Sequence, residues 1–214
     1  MVGGLSWFNW THWTNMTNST NLSNSKKGGF ESLIVYHQAV EIFDMTFFFT
    51  GRFLDQKSRT KDQMEQAARS GKQNIVEGSL ENSVESNLKL TGVARASFGE
   101  LAEDAKDFLR NKELKLWDKN DRRNLIIRGR KIYPEGGNNW INLSNSTNLT
   151  NYIKENYQIS IFEPEQIANL LVTLSYKQLY LLDQLLKAIE EKFVKEGGFR
   201  ENLFKKRLDY RRKP

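Results

Sequence analysis

Cysteine is absent from the 214 residues, which excludes a disulfide framework, thiolate metal sites and cysteine nucleophiles. Two histidines, His12 and His37, are too few for a His-rich metal centre, so neither metal nor cofactor is expected. With three prolines and few β-branched runs, the chain lacks the punctuation of a many-turned β-sandwich. Long hydrophobic runs are missing too. The most apolar stretch, Ile42 to Leu54, is broken by Asp44 and Arg52 and falls short of the ~20 residues that a spanning helix needs. The first 25 residues hold no Lys, Arg, Asp or Glu, so the charged start of a signal peptide is missing. The expectation is a soluble, cytoplasmic protein with no membrane partner.

What charge there is lies unevenly. Thirty-two basic residues against 26 acidic ones give a net charge of +6. Two segments account for that excess, and the rest of the chain is net acidic. Lys115 to Lys131 carries Lys115, Lys119, Arg122, Arg123, Arg128, Arg130 and Lys131 against Asp118 and Asp121. Gly197 to Pro214 carries Arg200, Lys205, Lys206, Arg207, Arg211, Arg212 and Lys213 against Glu201 and Asp209. Phe204 and Tyr210 interleave the second segment, a pattern suited to stacking on single-stranded bases. Concentrated basicity favours a polyanion such as RNA or DNA.

Two tracts share another composition. Residues 14–25 read TNMTNSTNLSNS and residues 142–151 read NLSNSTNLTN, with NSTNL common to both. Such tracts bury little and are expected to be flexible and dispensable. Their sequons, including those at Asn15, Asn18, Asn142 and Asn145, follow from the repeat itself. Trp7, Trp10 and Trp13 precede the first tract at helical spacing, which suits docking on a neighbouring subunit or a flexible tail equally.

Elsewhere the apolar residues recur with helical period. Leu33 to Leu54 reads as a helix whose phenylalanines fall on more than one face, which predicts burial both by the fold and by a partner subunit. A second helix is predicted from about Thr60 to Glu77, stopped by Gly78. Asn82 stands three before Glu85, a capping-box spacing for a third helix reaching about Asn111. A short basic helix is predicted over Lys115–Lys131. A fourth long helix follows Pro164 and ends at Gly197-Gly198. The chain thus divides into a low-complexity segment (1–29), three helices (30–112), a basic short helix with a low-complexity insertion (113–163), a fourth helix (164–196) and a basic tail (197–214). Four long amphipathic helices predict an all-α, antiparallel four-helix bundle with low-complexity insertions.

Within the second helix, QMEQAARSGKQNIVEG (63–78) places Ala67, Ala68, Ser70 and Gly71 where a helix usually carries bulk. A mid-helix glycine costs about 1 kcal/mol relative to alanine, so Gly71 predicts a close helix–helix approach. Gly92, Ala94, Ala96, Ser97, Gly99 and Ala102 are the expected matching face on the third helix. The run resembles the signature of the four-helix-bundle proteins called 23S rRNA intervening sequence proteins, Q-x-x-R-A-A-x-S-I-x-x-N-I-A-E-G. Gln63, Ala67, Ala68, Ser70, Asn74, Ile75, Glu77 and Gly78 stand at corresponding places, while Gln66 and Gly71 replace the family's Arg and Ile. GVARASFGELAEDAKDFL (92–109) resembles the family's next block. LLDQLLKAIEEKFVKEGGFRE (181–201) is similar to the subgroup with a C-terminal "four helix bundle suffix". The resemblance covers residues 32–112 and 164–214. It implies an antiparallel four-helix bundle assembled as a homopentameric barrel. A related branch is the accessory protein of diversity-generating retroelements, which binds a reverse transcriptase and nucleic acid.

Catalytic arrangements find little footing. Ser70, Asn74 and Glu77 share one side of the second helix, but a hydrogen-bond network fixing helix register, completed by Arg69 or Arg95 on Glu77, explains them better than catalysis. The Ser-Gly-Lys at 70–72 lacks the first glycine and the Ser/Thr of a phosphate loop, with Gln66 and Gln73 in their places, and no strand precedes it. His37 and Glu41 form half of a di-metal constellation with no second half, so an interhelical hydrogen bond is expected of His37. Two histidines, one in the tract-bearing N-terminus, do not build a Ser-His-Asp triad. The reading is a non-enzymatic, homo-oligomeric protein that binds RNA or DNA backbone or acts as a scaffold. The competing reading is an adaptor that docks a protein encoded nearby.

Overall fold

A computed structural model describes residues 29–132 and 146–212. The segment 1–28, with the three tryptophans and the first tract, lies outside the described residues, as do 133–145 and Lys213. Among the described residues a 3-10 turn, Phe30–Ser32, leads into seven helices: α1 (Ile34–Phe53), α2 (Arg59–Leu80), α3 (Val84–Asn111), α4 (Arg122–Gly129), α5 (Ser146–Tyr157), α6 (Pro164–Glu196) and α7 (Phe199–Arg212). The described residues are all-helical apart from turns and connections. None of these helices is long and apolar enough to cross a membrane.

Each of the four long helices packs on two others: α1 on α2 and α6, and α3 on α2 and α6. Their buried stripes repeat every three or four residues, as helical periodicity requires. Val35, Ala39, Ile42, Met45 and Phe49 of α1 meet Met64, Ala68 and Ile75 of α2, Phe98, Leu101 and Ala105 of α3, and Ile167, Leu171 and Leu174 of α6 in one apolar core. At one end the Phe49 and Phe108 rings meet edge to face, centroids 4.8 Å apart.

The helix boundaries correct three local expectations. Gly78 does not stop α2, which runs on to Leu80 with Glu81 as its C-cap. Gly78 is instead a close-approach position, since a Cβ there would lie 3.1 Å from Asn87 Oδ1 and 3.3 Å from Leu90 Cβ. The N-cap of α3 is Ser83, one residue past Asn82; its hydroxyl oxygen accepts from the Ser86 amide and donates to Glu85. The basic helix is shorter than expected: only Arg122–Gly129 is helical. Lys115 and Trp117 lie instead on a connection held against α6, where Asn169 accepts from the Trp117 amide and donates to the Lys115 carbonyl, both at 2.8 Å.

Gly71 does mark a close approach, but of a different kind. A Cβ there would stand 2.7 Å from the Phe98 ring of α3, so the glycine receives a large side chain rather than a matching small one. Of the predicted small-residue face only Ala94, Ser97 and Ala102 are buried, while Ala96 is exposed and Gly92 and Gly99 adjoin open space.

One expectation of irregular chain is overturned. Residues 146–151 of the second tract belong to α5, because Leu149, Ile153 and Tyr157 recur every four residues and all are buried. The basic tail is also helical, as α7.

Candidate nucleic-acid interface

The basic segment 115–131 does not form one basic face. Arg122 and Lys131 are exposed, but the other three site candidates are bound into the fold. Arg123 donates to the Asp121 carboxylate through Nε (3.0 Å) and Nη2 (2.7 Å), and its guanidinium lies 3.8 Å over the Trp117 ring. Those hydrogen bonds hold the Asp121 carboxyl down at about 2. Arg128 donates to the carbonyl oxygens of Asn124 and Lys119, and burial lowers its pKa. Arg130 is furthest from a phosphate-binding role. Its Nη1 donates to Glu41 Oε1 of α1 at 2.8 Å and to the Tyr157 hydroxyl at 2.6 Å, Nη2 donates to the Tyr152 hydroxyl, and Nε donates to Asn156 at 3.2 Å. Every one of these bonds uses a donor that a phosphate would need, so Arg123, Arg128 and Arg130 are structural cations.

Sequence reasoning missed the cluster that Arg130 completes. Both tyrosine hydroxyls donate to Glu41 Oε1, that of Tyr152 at 2.9 Å. Lys177 of α6 donates to the Arg130 carbonyl at 2.5 Å. Burial pushes both tyrosines up, and the Glu41 charge adds to it. Burial acts against the Arg130 charge, but Glu41 and the tyrosines outweigh it and the net shift is upward. Lys177, whose burial outweighs the help of Glu41, falls to about 8. The sequence signal was a charge inside each of two apolar stripes: Glu41 between Val40 and Ile42, and Lys177 after Leu174.

This cluster also covers part of the second face of α1, which the sequence assigned to a partner subunit. Phe47 remains 40% exposed, its ring 4.5 Å from that of Phe43.

The motif residues of α2 divide by depth. Ala67, Ala68, Gly71, Ile75 and Gly78 are buried, and Gln63 and Glu77 are exposed. Asn74 donates to the Ser70 carbonyl at 2.8 Å and to its hydroxyl at 3.2 Å, and the Ser70 and Ser97 hydroxyls stand 3.0 Å apart, tying α2 to α3. Glu77 takes no part in that network. Arg95, the partner offered for it, pairs with Asp183 of α6 at 2.5 Å. His37 Nε2 donates to the Glu31 carbonyl, six residues earlier in the chain, at 2.7 Å.

The remaining candidates come together on α7. Gly197, at φ +77°, breaks α6, and Gly198 lies where a Cβ would collide with Glu85 of α3. Asn202 secures the turn by donating to the Glu196 carbonyl at 3.1 Å. Beyond that anchor no residue of α7 is buried. Lys205, Lys206, Arg207, Arg211 and Arg212 are all exposed, and none joins an ion pair among the described residues. Arg200, Phe204, Arg207 and Arg211 follow at spacings of four, three and four, so they share one stripe of the helix. Leu203 and Tyr210 flank it, and both acids, Glu201 and Asp209, lie off it. Phe204 is 63% and Tyr210 79% exposed.

No family model matches the chain, and comparison with curated proteins and with solved structures likewise finds no match.

Proposed function

We propose that the chain is a non-enzymatic protein that binds RNA or DNA backbone through α7. In this reading α1, α2, α3 and α6 form an antiparallel four-helix bundle of the 23S rRNA intervening sequence type. The bundle assembles as a homo-oligomer, a pentamer by that resemblance, with Phe43 and Phe47 of α1 at the subunit contact. One observation carries the reading: five cations of α7 are exposed and unpaired among the described residues, with aromatic rings exposed between them. Lys and Arg on one helix supply phosphate contacts without base-specific readout, and each contact releases condensed counterions. Phe204 and Tyr210 add sequence-tolerant stacking on unpaired bases. Several subunits in one particle would multiply weak contacts through avidity.

The test is a gel-shift titration with single-stranded RNA and duplex DNA at about 50 and 200 mM salt, a range over which backbone contacts weaken steeply. Wild type is compared with a variant carrying Gln at Lys205, Lys206, Arg207, Arg211 and Arg212. Salt-sensitive binding that the variant loses, with its helicity intact, supports the reading. Equal binding by both proteins removes α7 as the interface. The exposed Leu203 and Phe204 of α7 favour the adaptor reading as the second choice; it predicts no nucleic-acid binding at low salt and a specific co-purifying protein.

A further inference from the structure

A half-open cavity of about 140 Å³ lies where α3, α4 and the first half of α6 meet the connection after α3. Its wall is apolar, formed by Leu116, Trp117, Val172 and Tyr176, and Lys106, Lys119 and Arg128 stand around it. Trp117 is fixed on three sides: its amide donates to Asn169, its Nε1 donates to Glu165 at 3.0 Å, and Arg123 covers its ring. The wall is therefore formed before any ligand arrives.

Size and charge together define what would fit. An apolar cavity of roughly 150 Å³ is known to admit one benzene ring, so this one takes a single six-membered ring and little more. Thr173 and Asn124, which also line it, are already committed. Thr173 donates to Asn124 Oδ1 at 2.6 Å, and Asn124 Nδ2 donates to the Asp118 carbonyl at 2.8 Å. Lys106 is balanced by Glu103 at 2.7 Å. Lys119 is exposed and joins no ion pair among the described residues, whereas Arg128, which also lines the cavity, gives its Nε and Nη2 donors to the Asn124 and Lys119 carbonyls. The site thus pairs an apolar slot with a cationic edge.

We propose that this cavity binds a planar ring carrying an anionic group, the ring against Trp117 and Tyr176 and the anion towards Lys119. Two sources share this chemistry, a free aromatic carboxylate and a pyrimidine nucleotide. The proposal does not depend on α7 or on its binding nucleic acid.

The test uses the full chain and follows the Trp117 indole N–H resonance during titration with benzoate, uridine monophosphate and benzylamine. Benzoate or the nucleotide should shift that resonance saturably, and whichever binds more tightly identifies the source. Benzylamine, with the same ring and the opposite charge, should bind about tenfold more weakly, a difference of ~1.4 kcal/mol. Lys119→Glu should weaken the anion and leave the fold unchanged. Val172→Phe should fill the slot and abolish binding; where it also disturbs folding, Lys119→Glu remains decisive. Failure of both anionic probes to shift the resonance overturns the proposal. So does benzylamine binding as tightly as benzoate, or an unaltered affinity in Lys119→Glu.

Discussion

Arg130 Nη1 lies 2.8 Å from Glu41 Oε1, although 89 positions separate the two residues. That contact joins the segment between α3 and α6 to the middle of α1, and Tyr152 and Tyr157 bring α5 to the same carboxylate. The insertion is thus held by a buried polar joint as well as by the packing of Leu149 and Ile153. Such a joint adds little net stability but makes one docking geometry far better than its neighbours, because a slipped insertion would leave a buried charge unpaired.

Removing only one side of the joint should be severe. Glu41→Leu leaves Arg130 buried without its carboxylate and should cost about 3–5 kcal/mol. Adding Arg130→Met, Tyr152→Phe and Tyr157→Phe removes the stranded groups and should recover most of that loss. Urea midpoints of the wild type, the single variant and the quadruple variant measure both effects. A single variant as stable as wild type would mean that the pair is open to water.

Lys177 makes stability depend on pH in the alkaline range. Its pKa falls to about 8 in the folded chain through burial, against about 10.4 unfolded. Between these values the unfolded state binds more protons, so stability rises with pH. The buried tyrosines act in the opposite sense: folding raises their pKa, so above about pH 10, where unfolded tyrosine ionises, stability falls again. Denaturation midpoints should climb from pH 8 towards about pH 10 and then decline, with the climb reduced in Lys177→Met. A flat profile would contradict the burial of Lys177.

The long helices were legible because their apolar stripes are periodic and their ends are marked: Pro164 opens α6 and Gly197 closes it. Gly71 was legible as a close approach, but not its partner, since nothing local to Gly71 points to Phe98. The candidate site was legible only in part. A count of charges does not distinguish Arg130, whose carboxylate lies on α1, from Lys205, which is exposed between exposed Phe204 and Lys206. The second tract was misread because its Asn, Ser and Thr content masks a stripe. Leu149 begins a four-residue repeat whose other members, Ile153 and Tyr157, lie outside the tract.

The meeting of α2 and α3 should be intolerant of bulk at Gly71. A Cβ would stand 2.7 Å from the Phe98 ring, and overpacking of this kind costs about 1–3 kcal/mol. Gly71→Ala should therefore lower stability despite alanine's better helix propensity, and Gly71→Leu should lower it further. Combining Gly71→Ala with Phe98→Leu should give a smaller loss than the two single effects added together, a non-additivity that calorimetry of the four proteins reads directly. Full additivity would place the strain elsewhere.

Two neighbouring positions of the second tract should behave in opposite ways. Leu149 is 1% exposed and belongs to the apolar core. Leu149→Asn removes that packing and buries an amide without a partner, so a loss of about 2–4 kcal/mol is expected. Asn151, two residues on, is exposed on the same helix. Asn151→Ala removes only solvent contact and replaces a weak helix former with the strongest, so stability should hold or rise by a few tenths of a kcal/mol. Thermal melts of the two variants beside wild type decide the matter. A large loss at Leu149 with none at Asn151 means that the tract is part of the core from its midpoint onward. Small and equal effects would restore the reading in which the whole repeat is dispensable.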